Sequence, residues 1–134
     1  MKRLLIIPAR SNSKRIKNKN IKNFFGKPII SYSIKLALKS KLFDKINVSS
    51  DSKKILKISN KIKFGIGFKR EKKLAKDSTP LFDVFLDVVN HYKQMKIYYD
   101  EIWYINPCSP LIKNVDLVMA SKKIKIKKMN STLS

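Results

Sequence analysis

Cysteine, histidine, glycine and acidic residues are all scarce in this sequence. It has one cysteine, one histidine, three glycines and nine Asp plus Glu in 134 residues. Cys108 alone closes no internal disulfide, and His91 with it builds no Cys/His zinc site, so a disulfide scaffold and a zinc finger are excluded. Glycine is too sparse for either common phosphate-binding loop: neither G-x-x-x-x-G-K-[ST] nor G-x-G-x-x-G occurs. Gly65-Ile66-Gly67 is a decoy, because Arg70 stands at the third glycine position. Long uncharged runs are missing too. Leu4 to Ala9 is interrupted by Pro8 and stopped by Arg10, too short for a signal-peptide core, and nothing else suits a bilayer span. A cytoplasmic location without membrane contact is the expectation.

Lysine is in excess. Thirty-one Lys plus Arg against nine acids leave a net charge of +22, and 27 of the cations are lysine. Isoleucine and asparagine are abundant as well, and the three share A/T-rich codons. The excess therefore reads first as a solvated lysine surface, with polyanion binding as the alternative. Nucleic acid is not the expected partner, because the aromatics sit inside apolar patterns and are not interleaved with arginines. A hydrophobic fraction of 43% is enough for a packed core.

Short apolar runs alternate with amphipathic segments. Arg3 to Ala9 reads as a buried central strand, Lys45 to Ser49 as a second, the region from Ile66 to Lys69 as a short third, and Glu101 to Asn106 as a fourth. Helical spacing predicts a helix from Pro28 to Ser40, with the proline in its first turn. Ser52 is placed to cap a second helix carrying Ile55, Ile58 and Ile62 and ending near Gly65. Pro80 opens a third, with Leu81, Val84, Phe85, Val88, Val89 and Tyr92 on its apolar side and Asp83, Asp87, Asn90 and Gln94 opposite. A weaker helix starts at Asn114. Residues 1–121 form one α/β domain in this reading, and the basic residues 122–134 a frayed tail. Alternation of this kind predicts a doubly wound, mostly parallel sheet. Its ligands would bind beyond the carboxyl ends of the strands, in the loops after Ala9, Ser49 and Asn106.

The first of these loops, Pro8 to Asn20, combines small residues with several cations and suits a triphosphate. The stretch from Ile7 to Asn20, I-P-A-R-S-N-S-K-R-I-K-N-K-N, resembles the nucleotide loop of the N-acylneuraminate cytidylyltransferases, which make CMP-activated sialic, pseudaminic and legionaminic acids. Six further segments match in order: Gly26 to Ile34, Leu42-Phe43-Asp44, Val48-Ser49-Ser50-Asp51, Arg70, Leu74 to Thr79, and Asn106-Pro107-Cys108-Ser109-Pro110-Leu111. The stretch Asp77 to Pro80 leans towards the pseudaminic branch. The chain departs from the pattern at Asn12 (for glycine), Glu71 (for proline), Leu81 (for a hydroxyl) and Asn106 (for glutamine).

The resemblance implies a nucleotidyltransferase-type, Rossmann-like domain that is incomplete at its C-terminus. It implies CTP as substrate, with a sialic-acid-like sugar acid attacking the α-phosphate and releasing pyrophosphate. Arg10 and Lys19 would be the catalytic cations on the triphosphate, Ser13, Lys14 and Asn20 would line the same pocket, and Arg70 and Asn106 would meet the base and ribose. Magnesium is implied for the full-length family. No metal ligand is expected in this chain, since Asp116 is the one acid after Glu101. The complete fold implies a homodimer. Shorter than the family, the chain is expected to be impaired or inactive alone; the alternative is a non-catalytic nucleotide- or polyanion-binding protein. Cys108 is expected as a packed or loop-lining thiol, His91 in an exposed helix ion pair with Asp87, and Trp103 and Tyr104 in the core.

Overall fold

In the computed structural model, which describes residues 1–11 and 18–127, strand β1 (Arg3–Pro8) lies inside a sheet and is buried from Arg3 to Ile7. Its apolar run has no polar alternation because both of its faces are covered. Leu5, Ile7 and Ala9 point into one core cluster, Leu4 and Ile6 into another. The chain then reaches a single 3-10 turn (Lys19–Ile21) and a small antiparallel hairpin of β2 (Asn23–Phe24) and β3 (Lys27–Pro28).

That hairpin corrects one expectation. Phe25 and Gly26 both have positive φ, 48° and 85°, as a tight two-residue hairpin turn requires. Pro28 is thereby drawn into register with Asn23, and Ile29 N–H donates to Lys22 O at 2.9 Å. Helix α1 consequently starts at Ile30 and ends at Ser40, two residues past the proline expected to open it.

Strand β4 (Lys45–Ser50) pairs parallel with β1, setting Ile6 opposite Asn47. Ser52 caps α2 (Lys53–Ile62) as its position predicts, its Oγ accepting from Ile55 N–H at 3.3 Å. Strand β5 (Gly67–Lys69) then adds beside β4. A Cβ at Gly67 would come within 2.8 Å of the Asn60 side chain, which accepts from Gly67 N–H. Helix α3 (Leu81–Gln94) buries Val84, Val88 and Tyr92, while Leu81, expected among the apolar contacts, is 42% exposed. Strand β6 (Glu101–Tyr104) pairs with the other edge of β1. Helix α4 (Asn114–Lys127) runs past residue 122, where fraying was expected to begin.

The main sheet has the order β5-β4-β1-β6, and every pairing in it is parallel. Residues of α1, α2 and α4 share the first core cluster, and α3 supplies Val88 and Tyr92 to the second. The doubly wound arrangement read from the sequence is the one observed. Strand order reverses at β1, whose neighbours β4 and β6 lie on opposite sides, so the crevice for a ligand belongs at the carboxyl ends of β1 and β6. No helix among the described residues is long and apolar enough to cross a membrane.

Candidate functional site

A cleft of about 300 Å³ opens at that switch point. Four cations line it, Arg10, Lys19, Arg70 and Lys76, together with Asn20, Asp77, Thr79, Leu81, Tyr104 and Asn106. Of the residues expected to bind nucleotide, Arg10, Lys19, Asn20, Arg70 and Asn106 therefore come together; Ser13 and Lys14, like Asn12, lie outside the described residues.

Both ends of the cationic loop after β1 are anchored. Ser11 donates from its backbone N–H and its Oγ to the two carboxylate oxygens of Asp51, at 2.8 and 2.6 Å. At the far end Asn20, 8% exposed, donates from Nδ2 to Arg10 O at 2.9 Å. Its Oδ1 accepts from the Cys108 thiol at 3.3 Å, tying the loop after β6 to the same anchor. Ser33 of α1 holds that loop from below, donating to Asn106 O at 3.0 Å, and Asn106 Oδ1 accepts from Cys108 N–H at 2.8 Å in a local turn. Asp51 and Asn20 thus act on the shape of the loop, while Arg10 and Lys19 present charge to the cleft.

Arg70 is 4% exposed, unusually deep for a guanidinium. It donates to Ser49 O at 2.9 Å and to Leu74 O at 3.2 Å, and its buried Nε has no hydrogen-bond partner among the described residues. Burial lowers its pKa, Asp51 and Asp87 oppose that, and Arg10 adds to it. Arginine stays charged through such shifts, so the site keeps a fixed, partly unsatisfied cation in its floor. Asp87 is not on a fully solvated face as expected. It is half-buried on α3, and burial first, then Glu71, raises its pKa against the pull of Arg70, His91 and Lys73. His91 corrects another expectation: its exposed ring packs edge-on against Phe68 at 4.9 Å, and among the described residues it makes no ion pair with Asp87. Burial raises the pKa of the Cys108 thiol, with Lys19 opposing, which suits a loop-lining thiol.

Lys76, Asp77, Thr79 and Tyr104 also line the cleft without having been expected in it, and Leu81 lines it at the position where the family pattern has a hydroxyl that contacts nucleotide. Tyr104 was placed in the core with Trp103; Trp103 is 4% exposed, but Tyr104 is half-buried against Phe85 and lines the cleft. The signal for the others is topological: residues 76–81 lead into the amino end of α3, which faces the same end of the sheet. Asp77 carries an ion pair with Arg10.

A parallel sheet of this order, with a cation-lined cleft at its switch point, is an α/β domain of the nucleotidyltransferase type. The chain belongs to the cytidylyltransferase family, whose model matches residues 4–132. It is 38% identical over 123 residues to the pseudaminic acid cytidylyltransferase of Campylobacter jejuni, covering 92% of this chain and 53% of that protein. It is 32% identical over 120 residues to the N-acylneuraminate cytidylyltransferase of Escherichia coli, covering 89% of this chain and 27% of that one. Among solved structures, CMP:2-keto-3-deoxy-manno-octonic acid synthetase complexed with CTP superposes with a TM-score of 0.79 at 20% identity, over 96% of this chain and 49% of that one. The chain thus spans about half the length of the pseudaminic acid relative, or less of the others.

Proposed function

We propose that the cleft binds CTP and that the chain serves as the nucleotide-binding part of an enzyme that activates a sialic-acid-like sugar acid as its CMP derivative. The observation that carries this reading is the convergence of Arg10, Lys19 and Arg70 on one cleft at the switch point, in a chain of the cytidylyltransferase family. The triphosphate lies against Arg10 and Lys19, which neutralise charge as the sugar acid's anomeric hydroxyl attacks the α-phosphate and pyrophosphate leaves. Base and ribose lie toward Arg70 and Asn106. Pseudaminic acid is the first sugar acid to test, given the similarity to an enzyme named for it.

Magnesium is implied for such chemistry. The described residues hold no group of three or more His, Cys, Asp or Glu able to bind a metal, and the one carboxylate among the described lining residues, Asp77, is engaged by Arg10. They do not fit a protein-held ion.

Calorimetric titration with CTP and ATP at several salt concentrations tests the binding. A shaped cleft distinguishes CTP from ATP at fixed salt, whereas lysine-driven polyanion binding does not and falls steeply as salt rises. Turnover is tested separately, as pyrophosphate release from CTP with sialic, pseudaminic and legionaminic acids. We expect none from these 134 residues alone. In this reading the sugar acid is oriented by the part of the relatives that the chain does not span, and orientation is a large share of such catalysis. Release dependent on any one sugar acid would overturn that expectation.

A further inference from the structure

Arg10 and Asp77 stand 67 positions apart in the chain and on different elements of the cleft wall, Arg10 in the loop after β1 and Asp77 in the segment before α3. Their side chains are joined in an ion pair. Asp77 sits on a closed turn, in which Thr79 N–H donates to Lys76 O at 3.0 Å and Lys76 N–H to Thr79 Oγ1 at 3.2 Å. These two bonds hold the turn that presents the Asp77 carboxylate to Arg10.

Three features make this pair more than a surface contact. Its cation is the arginine nearest the triphosphate in the reading above. Its carboxylate is the sole negative group among the described lining residues, set among four cations, so it occupies the position that an incoming anion would seek. The two side chains are 31% and 40% exposed, which lets a dissolved anion reach them and keeps the pair weak enough to exchange.

We infer that Asp77 is an internal competitor for Arg10: it holds the guanidinium in the unliganded protein and is displaced when phosphate oxygens take its place. The inference rests on the nucleotide reading of the cleft and adds a specificity device to it. The cost of breaking the pair is levied only on ligands that engage Arg10, and only a multiply charged phosphate chain recovers it there.

The test is titration of the native chain, Asp77→Asn, Arg10→Ala and the double variant with inorganic tripolyphosphate, CTP, ATP and cytidine, at one salt concentration. Asp77→Asn should bind tripolyphosphate and CTP about two- to fivefold more tightly, the range expected for releasing a half-exposed pair, and should leave cytidine unchanged. The gain should vanish on the Arg10→Ala background. A gain that persists there would reduce Asp77 to a general charge effect and overturn the inference, as would an unchanged or weaker affinity in the single variant. If the tripolyphosphate pattern appears while CTP and ATP bind alike, the competitor stands and the cytidine nucleotide reading falls. If neither anion binds any of the four proteins, both fall.

Discussion

Asn20 donates to the backbone carbonyl of Arg10 at 2.9 Å, joining the two ends of a loop whose intervening residues carry most of its charge. The bond is sheltered, since Asn20 is 8% exposed, and it fixes where Arg10 leaves the sheet. A cationic loop is useful for phosphate only if its charges are held in place before the ligand arrives, because ordering them on binding costs affinity. Asn20 meets that need without itself carrying charge.

Asn20→Ala should therefore weaken CTP binding by about 1 kcal/mol, the usual worth of a lost hydrogen bond in a sheltered site. Thermal melting should show the fold intact. Affinity equal to that of the native chain would remove Asn20 from the positioning role.

Arg10→Ala should cost about 1.5–3 kcal/mol of CTP affinity, as for a lost charged hydrogen bond. Lys2→Ala should change little, because the Lys2 side chain is exposed before the start of β1. Titration of the two variants side by side checks the contrast, and equal effects would mean that charge alone governs binding.

Val88→Asp should abolish cooperative folding or cost at least about 3 kcal/mol. Val88 is fully buried between α3 and Leu4 and Ile6 of β1, where an aspartate has no partner. Asn90→Ala, exposed on the same helix, should be mild. Circular dichroism melts of the pair test the facing of α3.

Asp87 carries a pH signature. Burial and Glu71 raise its pKa in the folded chain, so the folded state holds that proton more tightly than the unfolded one. Its contribution favours folding in acid and is lost as pH rises through the raised value. Asp87→Asn should accordingly raise the melting temperature at neutral pH and leave it unchanged below the ordinary carboxylate range. A lower melting temperature at neutral pH would show that attraction to Arg70 outweighs desolvation.

Much of the fold is legible locally. The unbroken apolar run of β1, the serine before α2 and the stripe of α3 are each set by neighbouring residues, through burial on two faces, a satisfied helix end and 3.6-residue periodicity. The Pro28 expectation failed because the same local residues admit a hairpin, and the positive φ available at Gly26 decided for it.

The sequence by itself determined the alternation of strands and helices, the parallel sheet, and the placing of Arg10, Lys19, Arg70 and Asn106 in loops at one end of it. Only the tertiary structure decided what those residues touch. Asp77 meets Arg10, Arg70 reaches Ser49 and Leu74 beneath the cleft, and Tyr104 turns to the site while Trp103 turns to the core. The physical reason is that spacing along a chain governs which face of an element a side chain occupies, whereas a charge finds its partner across space. Arg10 and Asp77 become neighbours only after β1 and α3 have packed with their carboxyl and amino ends at the same edge of the sheet.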